Sequence, residues 1–411
     1  MVRNKSGKYK STMLLILYSL TRKIFIDFVG RLIFSEIIAL ATFPFFRLNI
    51  FLKKYKGLKI VLKGLSILLF FQIISDLFNQ TSSSDFLRGW AVIFFSFVSV
   101  VFLVKNIGNN PKAIIPLLFC SFLIELIFGS TELDIGLLEE NSNFFKVRFV
   151  SFLNLFVLLI SYFFYVKRTK SLVPILFLTY ALICFILDAR SNGLIFLIAS
   201  FLMFTKIRKV RFSKKNILII GVISSVFFYS SYVFYVNSVI NNGFGGRNAK
   251  MQISSMDNPY NPFELLYKGR LETFIAIIAI QEKPVLGHGS WAKDKGGKYA
   301  YLIKQITGRD RNEEKGFIPS HSVLLGSWLY AGFFGFLSIL YLFINLFKIY
   351  FKIFKSSFDS SVFPIITVLT ADMFWAVLFS PFGLLRTTFP LFAAMLIIYN
   401  EKHKNLLLEK L

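Results

Sequence analysis

Four side chains have the types and neighbourhoods that chemistry on a diphosphate-activated group would need: Arg190, Arg270, Glu272 and His321. Arg190 follows Asp188 in Asp188–Gly193 (DARSNG), beside an apolar run, where an ionisable group is costly unless it pairs or faces a cavity. Arg270 lies in Lys268–Thr273 (KGRLET), and its planar, permanently charged fork suits a diphosphate. Together the two arginines could clamp an anion. His321 sits in Pro319–Ser322 (PSHS), where a polar stretch gives way to an apolar one. An imidazole there could take a proton from a sugar hydroxyl, with Glu272 as the second candidate base. Plainer readings stand beside these: Arg190 paired with Asp188 or snorkelling, Arg270 as an ordinary interfacial cation, His321 as a structural histidine.

Arg270 and Glu272 lie within, and His321 just past, one long polar stretch, about 239–319, which also holds Arg247, Lys268, His288, Arg309 and Arg311. Asn241–Gly246 (NNGFGG) reads as flexible and Asp257–Pro262 (DNPYNP) as turns. From 262 to 282, Phe263, Leu266, Leu271, Phe274, Ile275 and Ile278 recur at helical spacing, which predicts one helix lying along or dipping into a membrane interface. Pro284–Gly289 (PVLGHG) ends it. The charge-rich segment 293–315 reads as solvated. Ser320 or Ser322 could cap a helix that starts where the loop ends.

The rest of the chain must position this stretch, and its composition names the solvent. It is 55% hydrophobic with 52 Phe, and its mean hydropathy is +0.63. A soluble fold of this size cannot bury so much apolar surface; in lipid, helices can carry it. Apolar runs of roughly 17 to 25 residues recur, without the short alternating segments of barrel strands. We place spans at 12–29, 32–46, 58–78, 86–104, 112–128, 145–166, 172–187, 191–205, 217–237, 322–347, 362–379 and 385–399, about twelve in all. The expected fold is therefore an all-α integral membrane protein with one long, partly helical outer loop. Its parts are an N-terminal bundle of about nine spans (1–238), the loop (239–319), and C-terminal spans with a tail (320–411).

The formal charge of +25 raises nucleic acid as a partner, but the charge sits in short segments between spans. That is the pattern of basic cytoplasmic loops, so the expected partner is the lipid bilayer and not nucleic acid. Segments 47–59, 105–112, 167–170, 206–215, 348–355 and the tail are basic. The intervening ones are neutral or, as with Glu132, Asp134, Glu139 and Glu140, acidic. This alternation puts both termini inside and the long loop outside. The basic N-terminus resembles a signal peptide without a small-residue cleavage site, so it reads as an uncleaved first span. Cys120 and Cys184 lie in apolar runs as packing residues. With His403 in the tail, only His288 and His321 belong to the loop side, and two histidines without clustered carboxylates make a weak metal site. Trp90, Trp291, Trp328 and Tyr330 read as interface anchors.

The order of motifs resembles the O-antigen polymerase and ligase superfamily (Wzy-type): a span, a DARSNG turn, a long loop holding GRLE and PVLGHG, then PSHSVLLGSWLYAGFFG. The likeness is strongest over Asp188–Gly335 and, by span number, extends to the whole chain. It implies a GT-C-like membrane glycosyltransferase of the bacterial inner membrane that takes glycan from undecaprenyl diphosphate on the outer side. A chain-length regulator is the candidate protein partner. Family arginines that bind the diphosphate correspond to Arg190 and Arg270, and the ligase branch's histidine to His321. Here Ser322 follows where many ligases have Asn, which weakens the ligase assignment. The residue chemistry agrees: arginines can stabilise a departing diphosphate without metal or cofactor, and His321 or Glu272 can serve as base. Expected activities are polymerisation of lipid-linked repeat units or, alternatively, ligation to lipid A core. A flippase is the alternative of another class, although the mid-span positions are overwhelmingly Phe, Leu and Ile.

Overall fold

A backbone removed from water has to bond to itself, and a helix does so within one segment. The computed structural model describes residues 5–27, 30–129, 149–210, 214–243, 246–307, 316–356 and 359–408. The described chain is mostly helical, and its β structure is one short hairpin and an isolated bridge. Arg309, Arg311 and the four acidic residues expected on the 129–143 segment, Glu132, Asp134, Glu139 and Glu140, lie outside the described residues, as does the side chain of Arg247.

Among the described residues, 5 helices are long and apolar enough to cross a membrane: Lys56–Phe78, Ser83–Asn109, Pro111–Phe128, Arg190–Ile207 and Val323–Lys355. The bent pair Phe34–Ala41 and Phe45–Lys54, at 56°, raises the count to 6. Helix length and composition therefore do not support about twelve spans. Three apolar runs close into shorter helices, Val150–Val166, Leu172–Ile186 and Phe363–Phe379. The first expected span stops at Leu20, before Arg22 and Lys23, and a hairpin follows with Phe25–Asp27 antiparallel to Arg31–Ile33. Apolar content had run on across both breaks.

The core runs the length of the bundle. Ala393, Ala394, Met395, Leu396 and Ile397, on Phe389–Leu408, are fully buried. That helix packs against Ser83–Asn109, and residues 333–355 pack along Lys56–Phe78, where Gly64 lets Leu342 and Ser338 approach. By contrast Phe70, Leu77, Phe78, Phe119 and Phe128 are exposed, as side chains solvated by lipid would be. Two ties close the ends. Arg386 forks onto the buried Glu36 through Nε and Nη2, each at 2.5 Å. Lys206 donates to the carbonyls of Phe354 at 2.7 Å and Ser356 at 2.5 Å, satisfying the end of the Val323–Lys355 helix.

Candidate functional site

The long polar stretch folds as a cap with its own small core. Leu271, Ile275, Ala279 and Ile280 are buried against Ala292, Tyr299, Ile303, Ile318 and Leu329. The expected single helix over 262–282 is two, Pro262–Gly269 and Leu271–Glu282, broken at Arg270 (φ −133, ψ 35). The first begins where Asn261 accepts from Phe263 N at 3.0 Å, with Pro262 preset for the first helical position. Glu264 then accepts from Asp257 N at 2.6 Å and Asn258 N at 3.0 Å, and pairs with Lys268 at 3.0 Å. Those backbone donors, with Lys268, hold the Glu264 carboxyl below the usual range. Lys268 is thereby committed to the turn. Segment 293–315 is not simply solvated: Lys298–Thr307 is a helix whose first amides, Tyr299 N at 3.0 Å and Ala300 N at 2.9 Å, donate to Asp294.

Pro284–Gly289 does more than end a helix. The Val323–Lys355 helix breaks at Gly332 (φ 68, ψ −168), and the segment docks there backbone to backbone. Phe333 N donates to Val285 O at 3.1 Å, and His288 N donates to Leu329 O at 2.6 Å. A Cβ on Gly332 would fall 2.0 Å from Val285 O, so only glycine fits. Asp76, buried at the end of Lys56–Phe78, locks the next residue: it accepts from Ser290 N at 2.6 Å, Ser290 Oγ at 2.8 Å and Trp90 Nε1 at 2.7 Å. Trp90 and Trp328, whose Nε1 donates to Pro284 O at 2.7 Å, are thus ties to the cap; Tyr330 packs on Phe382, and Trp291 lies under Arg88.

Both arginines stand at helix ends. Arg190 opens the Arg190–Ile207 helix, where the peptide dipoles add to its positive potential. It pairs with Asp188 at 3.0 Å, as the local reading expected, and donates to Tyr235 Oη at 3.1 Å. Its helix is fixed one turn in. The Asn192 and Asn154 amides bond reciprocally at 2.9 and 3.0 Å, Tyr180 Oη joins Asn154 at 2.8 Å, and Gly193 lets Ala181 O come close. Arg270, at the helix break, rests over the rings of Trp375 at 5.1 Å and Phe379 at 5.6 Å. Its Nη1 reaches Phe379 O at 3.4 Å, at the negative end of the Phe363–Phe379 helix. Burial lowers the Arg270 pKa from its ordinary value, Glu272 opposes that, and Arg190 adds to it by repulsion. Arg190 and Glu272 are therefore within electrostatic reach of Arg270.

His321 comes to the same helix end. Ser322 caps the following helix by accepting from Leu325 N at 3.1 Å, and its hydroxyl donates to Val377 O at 2.8 Å. That carbonyl is two residues from the one Arg270 touches. The structure thus brings Arg270 and Ser322, the residue after His321, to the last turns of Phe363–Phe379, with Arg190 and Glu272 acting on Arg270 through their charge. It leaves His288 apart, with Nε2 bonded to Ala279 O at 2.7 Å. Sequence reasoning missed Asp76 and Asp372. Asp372 is a carboxyl inside an apolar helix, on the stripe of Trp375 and Phe379, and its placement within an apolar run was the available signal. Among the described residues no three His, Cys, Asp or Glu side chains group as a metal site. No protein-family model matches the chain, and no curated protein matches it.

Proposed function

We propose that this chain is a membrane glycosyltransferase that polymerises surface polysaccharide from lipid-linked repeat units. The observation that carries the reading is the pair Arg190 and Arg270: cationic forks from distant parts of the chain, partly buried and within each other's field, with Arg270 and the Ser322 that follows His321 both bonded to the end of one helix. Cations repel, so a site that holds two of them half-buried suits a doubly charged anion. The anion is the diphosphate of an undecaprenyl-linked glycan. As its bond to the anomeric carbon breaks, the arginines stabilise the departing charge. The acceptor hydroxyl oxygen bonds to that carbon, and its proton passes to His321 or, as second candidate, Glu272.

In this reading the shorter apolar helices, the bent pair, Lys5–Leu20, Lys214–Asn242 and Phe389–Leu408 cross as well, giving about twelve crossings in a GT-C-like arrangement. The cap then faces outward from the bacterial inner membrane, as the alternating basic segments suggest. Purified protein given lipid-linked repeat units alone tests the reading. A ladder of products supports it. Transfer only when lipid A core is added makes the protein a ligase, and carrier moving across vesicles with no new glycosidic bond makes it a transporter.

A further inference from the structure

Lys283 ends the Leu271–Glu282 helix and so stands at the far end from Arg270, about 18 Å away at 1.5 Å per residue. Its ammonium donates to Asn79 Oδ1 at 2.5 Å and, among the described residues, makes no ion pair; the adjoining Glu282 is taken by Lys298. Beside it a cavity of about 350 Å³ is lined by Phe78, Asn79, Pro284, Val285, Leu286 and Gly287. Phe78 is 71% and Val285 60% exposed. Next to it on the two packed helices, Phe70 of Lys56–Phe78 is exposed, and the exposed Phe334 stacks on Phe71 at 4.6 Å, so the seam between Lys56–Phe78 and residues 333–355 is apolar at this end. A lone cation above an open apolar seam fits one kind of ligand, a phosphate carried on a long hydrocarbon chain.

We propose that this groove seats the acceptor's carrier, a second polyprenyl diphosphate, with its phosphates at Lys283 and its chain along the seam. The inference rests on the polymerase reading, because joining two lipid-linked chains requires two seats on one face. The chemistry assigns them. The donor's diphosphate departs and needs forked donors that strengthen as charge develops, which Arg190 and Arg270 offer. The acceptor's diphosphate stays bonded throughout, so a single ammonium that holds it without favouring departure is sufficient.

The test is labelling by polyprenyl phosphate bearing a photoreactive group in its chain, in phosphatidylethanolamine vesicles. Peptides covering 70–79 and 283–287 are labelled. Lys283→Glu cuts that labelling about ten-fold, as loss of one charge-assisted contact would, and Leu286→Trp, which keeps the charge, cuts it by filling the groove. Labelling near Arg270 persists in both. With preformed polymer as donor, Lys283→Glu raises the KM for the single-unit acceptor and leaves the donor's unchanged. An unlabelled seam, labelling indifferent to Lys283→Glu, or equally strong labelling by a photoreactive phosphatidylglycerol overturns the proposal. Labelling needs no turnover, so loss at the arginine pair counts against the polymerase reading and loss at the seam against the second seat.

Discussion

Replacing Arg270 separates function from folding more cleanly than any other change at the site. Its guanidinium makes one long contact, 3.4 Å to Phe379 O, and otherwise rests on the Trp375 and Phe379 rings. Arg270→Ala therefore removes a ring contact worth about 1 kcal/mol and leaves no buried partner stranded. Arg190→Ala would instead break an ion pair to Asp188, whose side chain is 11% exposed, and so confound activity with stability. If Arg270 stabilises the departing diphosphate, losing it raises the barrier by about 3 kcal/mol, roughly a hundred-fold in rate. Arg270→Lys keeps the charge but loses the fork and the stacking, and should fall between. Initial rates of transfer from lipid-linked repeat units, with a thermal melt of each purified variant, read both quantities. An Arg270→Ala protein that melts like the parent and transfers glycan at the parent's rate would refute the reasoning.

Three further outcomes follow from the same geometry. His321→Ala should lower kcat by about a hundred-fold or more with the donor's KM nearly unchanged, and should abolish the acidic limb of the pH–rate profile; an intact limb excludes His321 as the base. The His288 pKa lies below its ordinary 6.5, chiefly through burial, with the Ala279 carbonyl opposing and Lys283 adding to the fall. The unfolded chain thus binds more protons in that window, so cap stability is complete above about 6.5 and is lost as pH falls through the lowered value. Hydrogen exchange of residues 284–290 against pH should show this, and His288→Gln should flatten it. Gly332→Ala, forced into a conformation nearly reserved for glycine and into Val285 O at 2.0 Å, should destabilise the protein by about 3 kcal/mol or more. An unshifted melting temperature would show that the docked segment does not depend on that position.

The sequence discloses side-chain chemistry more readily than it discloses where helices stop. Arg190, Arg270, Glu272 and His321 stand out because charge and imidazole are rare beside apolar runs, and the fold brings Arg270 and the residue after His321 to one helix end. Periodicity over 262–282 predicts a helix but carries no sign of the break at Arg270, since apolar residues keep helical spacing from Phe263 and Leu266 before it to Leu271 and Phe274 after it. Span ends are misread where apolar residues continue past the end of a helix, as beyond Leu20 into the hairpin of Phe25–Asp27 and Arg31–Ile33. Asp76 was unreadable for a different reason: its three donors come from Ser290 and Trp90, and no local pattern announces a partner more than two hundred residues away.

The docking of Pro284–Gly289 at Gly332 bears on how this protein can be tagged. By composition that glycine-bearing, polar-flanked segment looks like the natural place to splice in an epitope or a fluorescent reporter. A Cβ on Gly287 or Gly289 would fall within 3 Å of neighbouring backbone or side-chain atoms, so added residues there would pry the two layers apart. Gly243, with φ +65 and nothing within 4 Å, has room for additional residues to leave the surface without displacing anything packed around it.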